Sequence, residues 1–472
     1  MRNLVSLSSI LAIAALGACM SDPESGDAMS SEAPTTVTPF DQLPDLFGYT
    51  IAVADFDGDG LDDLAIAEEN APAGGKENAG TVQIWHGSAT GLVWSQTLSA
   101  ADAGVPDTAD GAFGFSLAAR DIDGDHKAEL VVGCWACDAP NGKPAGTVFV
   151  YKGGTKLTST KQVLSQSMFS GEVPEAEDAF GASVAIGFFG GPSKPASIVV
   201  GVPDEVVNGV ATGWVNTFTV GSNLLAGAGQ GFNYSGFGGN ETVGSFGAYL
   251  AVMDVDGDGV DDLVVESAPG STGGLYTYHG YPLRHLQRIV EENFVGSLAV
   301  GHFHGRTFTN GQPMQELAAR VYDTDERVAY VQILSPQPDG SGLVNSDAVY
   351  QPGNSDSSFG FGEIAAADFN HDGDDEIVVS APGSNKAYIY KSTLGESMTY
   401  WTDRALPGSP SCLGGCDYGE GLGIGHFHSK TPPNGDFDMA IGVPYAGAGL
   451  VDYYQAGGTG TPPSFVTSFG PH

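Results

Sequence analysis

Four short stretches of this chain place an oxygen-bearing side chain at alternate residues. The first reads Asp55-Phe56-Asp57-Gly58-Asp59-Gly60-Leu61-Asp62-Asp63. The second contains Asp121, Asp123, Asp125 and Glu129, the third Asp254, Asp256, Asp258 and Asp262, the fourth Asp368, Asn370, Asp372 and Glu376. Counted from its first residue, each stretch offers side-chain oxygens at positions 1, 3, 5 and 9, and position 7 (Leu61, Lys127, Val260 or Asp374) adds a backbone carbonyl. Such a set suits Ca2+, which takes about six to eight hard oxygens in a forgiving geometry; Mg2+ demands a stricter octahedron and transition metals prefer His or Cys. Gly60, Gly259 and Gly373 follow the third ligand and supply a tight turn, whereas His126 stands there in the second stretch. The competing reading is a solvated acidic hairpin, but carboxylates crowded into one turn repel one another unless a cation intervenes. One Ca2+ per stretch, about four structural ions in all, is the expectation. No nucleophile or general base accompanies these stretches, which argues against catalytic ions.

Histidines and cysteines offer two further chemistries. Gly301-His302-Phe303-His304 and Gly425-His426-Phe427-His428 align through their phenylalanines with Phe56, so each histidine pair falls on the first two ligand positions of a lost acidic loop. His-x-His on a strand turns both imidazoles to one face and can hold zinc or copper, with Asp436 and Asp438 as conceivable partners of the second pair. Hydrogen-bonded histidines replacing a metal cross-link are the plainer expectation. Cys134-Trp135-Ala136-Cys137 and Cys412-Leu413-Gly414-Gly415-Cys416 form two local pairs. A redox motif would need a helix N-terminus to lower a thiol pKa, and a zinc site would need all four thiols together. Two local disulfides, Cys134 to Cys137 and Cys412 to Cys416, are expected and accord with export. The sequence holds no Gly-x-Ser-x-Gly, His-Glu-x-x-His or phosphate-binding Gly-x-x-x-x-Gly-Lys.

The elements that position these residues repeat. Phe47-Gly48, Phe113-Gly114, Phe180-Gly181, Phe246-Gly247, Phe294-Val295, Phe359-Gly360 and Tyr418-Gly419 open seven similar segments, at steps of 66, 67, 66, 48, 65 and 59 residues. Each leads to a short alternating run, a loop, a β-branched run such as Leu130-Val131-Val132 or Ile377-Val378-Val379, a Pro or Gly turn, and a third run such as Thr81-Val82-Gln83-Ile84-Trp85. Leu92-Val93-Trp94-Ser95 suggests a fourth. Runs of this length bounded by Gly, Pro and Asp are strands, and Gly at 69 and Pro at 27 residues suit a turn-rich all-β chain. Small residues in the first run (Ala52, Ala54, Ala118, Ala119, Ala365, Ala366) let neighbours crowd around an axis. The pattern predicts an all-β, seven-bladed β-propeller of four-stranded antiparallel blades over residues 40–472, with blades starting near 47, 113, 180, 246, 294, 359 and 418.

The Phe-Gly opener, the acidic loop and the Ala-Pro or Val-Pro turn (Ala268-Pro269, Ala381-Pro382, Val202-Pro203, Val443-Pro444) together resemble the FG-GAP repeat of the integrin α-chain seven-bladed propeller, across residues 47–472. Arg-Gly-Asp does not occur, nor does anything similar to an integrin insertion domain or leg, so the likeness is to a bacterial relative of the propeller. The resemblance implies calcium loops on a lower face, where they brace the blades. Binding would then fall to upper-face loops, because loops on a rigid scaffold commonly carry it. The loops between second and third strands are long in blades one to three, at 68–80, 134–146 and 203–213. Trp135, between two cysteines, is the candidate ligand contact; a partly packed loop aromatic is the alternative.

Lys and Arg number 18 against 57 Asp and Glu, a formal charge of −39. That field excludes nucleic acid as a partner and opposes peripheral docking on anionic lipid. Met1-Arg2-Asn3 and the uncharged run 4–16 read as a signal peptide, too short for a permanent span. Leu16-Gly17-Ala18-Cys19 resembles a bacterial lipobox, so residues 1–18 would be removed and Cys19 lipidated, with 19–39 a flexible tether. Met20 in place of an Asp retention signal favours an outer membrane or cell surface. The expected function is a membrane-anchored, calcium-stabilised extracytoplasmic module that binds or adheres to a protein or glycan at the cell surface. The alternative is a calcium-containing propeller enzyme, a lyase or hydrolase of polysaccharide.

Overall fold

In each repeat the second strand has the most continuous apolar run, and a run of that kind requires cover on both faces. The computed structural model supplies it. Residues 45–207, 209–233, 244–267, 274–289, 294–353, 358–392, 397–405, 418–428, 437–446, 448–456 and 462–472 are described. The signal segment, Cys19, the tether, the 268–270 turn, Cys412, Cys416 and Asp436 lie outside the described residues. The second strands are Asp63–Glu68, Glu129–Cys134, Ser197–Val202, Asp262–Ser267, Glu316–Asp323, Glu376–Ala381 and Asp438–Val443. Six of the seven are buried along their whole length, Glu316–Asp323 along all but its last two residues, because each blade packs face to face against its neighbours.

Seven antiparallel sheets of four strands result, each in simple sequential order, and they form a seven-bladed β-propeller. The first strands (Phe47–Ala54, Phe113–Arg120, Ser183–Gly187, Phe246–Met253, Phe294–Gly301, Ile364–Ala367, Leu422–Gly425) ring the axis. The fourth strands form the rim, and Ser464–Phe469 is exposed along nearly all of it. Among the described residues no helix is long and apolar enough to cross a membrane.

The opener has a steric explanation. Its aromatic ring is fully buried in every blade, from Phe47 to Tyr418. The glycine that follows turns left-handed where another backbone presses close: Gly48 has φ 90°, and a Cβ there would lie 2.9 Å from the Leu450 carbonyl oxygen. Blade five departs from this pattern, with Val295 after the ring and the positive φ moved to Gly296 at 113°. The register of first against second strand slips just after the opener in blades one, two, four and five. Blades one and seven meet without exchanging a strand. Their junction is a buried cluster of Phe47, Trp85, Phe427, Val451 and Tyr453, with Phe469 against it.

Candidate metal centres and the upper-face loops

Each acidic stretch spans the turn from first to second strand, at one end of the propeller, hereafter the lower face. The turn is built by its own carboxylates. At position 1, Asp55 accepts the Gly58 and Gly60 N–H groups at 2.7 and 2.8 Å, and Asp121 and Asp254 accept the matching pairs at 2.7 to 3.0 Å. Asp368 holds the Asp372 and Gly373 N–H groups at 3.2 and 3.0 Å. Position 5 accepts from position 7 in all four loops, at 2.8 to 3.1 Å. These bonds require left-handed backbone at positions 4 and 6, where glycine stands except at His126 (φ 66°) and His371 (φ 58°).

Position 9 opens the second strand and is buried: Asp63 at 1%, Glu129 at 0%, Asp262 at 2% and Glu376 at 0% exposure. Each accepts the position-2 backbone N–H at 2.8 or 2.9 Å. Burial pushes the Glu129 carboxyl up to about 7, and the Asp262 and Glu376 carboxyls, which also feel neighbouring loop charges, up to about 8. Asp63 is raised too, by burial that the adjacent His86 only partly offsets. Ligand oxygens of Asp55, Asp57 and Asp59, of Asp121, Asp123 and Glu129, and of Asp254, Asp256 and Asp262 lie within 4.8 Å of one another. These donors are carboxylate oxygens, partly buried, and they fit a hard divalent cation; Asp57 and Asp63 also form a cluster with the His86 imidazole. In blade six the same places hold Asp368, Asn370, Asp372 and Glu376, where the Asn370 amide donates to Glu376.

Sequence reasoning missed three residues beside these loops. The third strand of each blade ends against the loop, at His86, Lys152 and His279 in blades one, two and four. Lys152 Nζ lies 2.5 Å from Asp123 and 3.0 Å from Asp125. His86 Nδ1 lies 3.0 Å from Asp63, and His279 Nδ1 3.0 Å from Asp256. The available signal was their repeat position, the last residue of the third strand.

Blades five and seven keep the position-9 acid, as Glu316 and Asp438, both at 0% exposure. There a histidine meets it. His304 Nδ1 lies 2.9 Å from Glu316, and His428 Nδ1 lies 2.5 Å from Asp438, which also accepts from the Tyr453 hydroxyl at 2.9 Å. Burial alone would lower the His304 pKa, but Glu316 outweighs it and the imidazole is held above its usual range. The first histidine of each pair turns elsewhere: the His302 and His426 backbone N–H groups donate to Asp375 and Asp62 of the next blade, at 2.7 and 2.8 Å. Each pair is thus split between two carboxylates and does not converge on one point. Blade three has neither acid nor histidine, and Ser197 opens its second strand.

On the opposite, upper face the long loops of blades one to three are tied together. The 69–80 loop bonds to the 105–112 connection through Asp110 N–H to Glu77 and Asn78 Nδ2 to Asp110, at 3.0 and 2.8 Å. That connection bonds to the next loop through the Ala136 N–H to Gly111. Asn141 Nδ2 and the Glu177 N–H then join the 134–146 loop to the 170–180 segment, and Asp204 N–H to Asp178 continues the series. Cys134 and Cys137 are joined by a disulfide and buried. Trp135 between them is half-buried, with its edge against Phe115 at 6.0 Å.

The FG-GAP repeat profile matches residues 47–85 and 362–393. Integrin alpha-V of Gallus gallus is 41% identical over 96 residues, covering 20% of this chain and 9% of its own length. Phosphatidylinositol-glycan-specific phospholipase D of Bos taurus is 33% identical over 124 residues, covering 25% of this chain and 14% of its own. The matches therefore span about a tenth of either relative. A crystal structure of a Lactobacillus plantarum protein superposes with TM-score 0.52 at 14% identity, over 82% of this chain and 91% of that one, and shows the fold alone. Ring, opener and acidic loops agree with these matches: the chain is a seven-bladed β-propeller that carries FG-GAP repeats and is related through them to integrin α chains.

Proposed function

We propose that this protein is an exported, lipid-anchored, calcium-stabilised propeller that binds a protein or glycan ligand at the cell surface through its upper face. The supporting observation is the hydrogen-bonded series of upper loops across blades one to three, which pre-organises one side of that face. Binding through loops already ordered costs less entropy than binding through loops that must order on contact. Lipidation of Cys19 supplies the anchor and the acidic lower-face loops supply the calcium sites. A glycan array probed with the soluble chain, with surface cross-linking to find protein partners, tests the reading. Retention without turnover, reduced by Trp135→Ala, is the expected result, and silence in both assays would overturn it.

A polysaccharide lyase or hydrolase remains the second reading. Glu69 and Glu363 flank the upper ends of a second and a first strand, and burial pushes their carboxyls up to about 7 and about 8. A carboxylic acid protonated near neutral pH is what general acid catalysis requires. Release of cut glycan in the array would favour that reading.

A further inference from the structure

At six of the seven junctions the chain passes from the fourth strand of one blade to the first strand of the next. At the junction of blade seven with blade one the chain reaches across only through its last residues, where the His472 N–H donates to Gln83 at 3.3 Å and the His472 ring stacks on Trp94. On the lower face of that junction stands Asp62, position 8 of the first acidic loop. Its N–H donates to the His426 carbonyl at 3.1 Å, and its carboxylate accepts the His426 N–H at 2.8 Å. Beside it the Ser88 N–H donates to the Phe427 carbonyl at 3.0 Å, and Phe427 is fully buried. The same clasp joins blade six to blade five, where Asp375 exchanges bonds with His302 at 2.7 and 2.8 Å. In blade four Asp261 accepts the Phe188 N–H of blade three at 2.6 Å. Blade two has Ala128 at position 8 and keeps only the backbone bond, to Asp55 at 2.8 Å.

Position 8 lies between the carbonyl of position 7 and the carboxylate of position 9, the two backbone-adjacent ligands of the cation reading given above. We propose that the blade-one loop is the fastener of ring closure. A cation held by Leu61 and Asp63 fixes Asp62 against His426, and its loss frees the seam between blades seven and one. The inference rests on the calcium reading and adds to it a place: each ion braces a junction, and the first braces the one where the last blade meets the first.

Hydrogen exchange on the full chain, read by mass spectrometry in Ca2+ and after chelation, tests this, with bound calcium counted by atomic emission. Asp57→Ala should lose about one ion and speed exchange at 422–428 and 464–472 by about tenfold, the change in open population expected on losing one charge-assisted hydrogen bond. Asp256→Ala should instead speed exchange at 183–190 and leave the seam unchanged. Asp62→Ala, which copies the alanine that blade two tolerates, should keep its ion yet speed exchange at 422–428. If Asp57→Ala does not fold, chelation of the natural chain and Asp62→Ala carry the test. Loss of the ion with faster exchange confined to 55–63, or equal acceleration everywhere, would overturn the fastener alone. Absence of bound calcium in the natural chain would overturn the calcium reading and the fastener with it.

Discussion

A buried carboxyl at the start of a strand must either meet a positive charge or keep its proton, and six of the seven blades face that choice. Blades five and seven answer it with His304 and His428, inside the chain, and blade one answers it in part with His86. Blades one, two, four and six leave more acid than base around the same atom, which is the physical case for a cation there. The acid raised by burial has a definite consequence for pH. Unfolded, these carboxyls titrate near about 4; folded without metal, Glu129 titrates at about 7 and Asp262 and Glu376 at about 8. Their contribution to stability in chelator is full below about pH 4 and is lost as pH rises through 7 and 8. With Ca2+ the ion replaces the proton, so the melting temperature in calcium minus that in chelator should widen from pH 5 to 8. His304 also loses its contribution as pH rises, but equally in both conditions, whereas His86, which burial lowers but Asp63 holds above its usual range, adds to the difference in blade one. A constant difference across that range would remove the position-9 acids from the ligand set. His304→Ala strips a buried partner from Glu316 and should cost about 3 kcal/mol in urea unfolding, calcium or not. Little of this was readable beforehand: aligning Phe303 with Phe56 found His304, but Glu316 stands 12 residues farther on and joins it only through the fold.

At the scale of the element, the sequence was most readable where one periodicity had one explanation. Strands announced themselves by β-branched runs between Gly and Pro, and the acidic loops by spacing alone. Less readable was the opener, which lies inside the first strand in blades one, two, four and five but precedes it in blades three, six and seven. Its role is to fill a pocket between blades and let a glycine turn under the next one, a tertiary demand with no local period. The counter-charges at the ends of third strands had a repeat position as their only signal, and only the fold brings Lys152 over Asp123. Blade two makes a test of turn chemistry. His126 holds φ 66° where its counterparts Gly60 and Gly259 hold 86° and 80°. A side chain there costs about 1 kcal/mol in left-handed backbone. His126→Gly should therefore raise the unfolding free energy by about that much, while Gly60→Ala should lower it by a similar amount. Equal urea midpoints for His126→Gly and the natural chain would mean that the His126 ring contributes contacts that offset the strain.

At the scale of the whole molecule, the charge and the architecture pull against each other. The whole chain has a formal charge of −39, and the lower-face loops of its closed ring concentrate acid at four of seven junctions. The blades are held by face-to-face burial, which is insensitive to divalent ions, and the lower-face loops by charge, which is not. Ions that bind the folded ring and not the unfolded chain stabilise it by RT ln(1 + [L]/Kd), about 2.7 kcal/mol for each site at a hundredfold excess over Kd. Chelation should therefore lower the melting temperature sharply, and Mg2+, which keeps its waters and demands an octahedron, should restore little of it. Blade two should contribute least, because Lys152 already stands over Asp123 and Asp125, and Lys152→Ala should raise its calcium affinity. Raising salt separates the two contributions. It screens repulsion among exposed carboxylates, whose reach at physiological ionic strength is about 8 Å, but does not replace an ion at a buried one. High NaCl should thus recover part of the stability lost to chelator and leave a calcium-dependent remainder. A melting curve that salt restores completely would make the acidic loops a source of general repulsion, and a curve that neither chelator nor salt moves would leave face-to-face packing as the only force closing the ring.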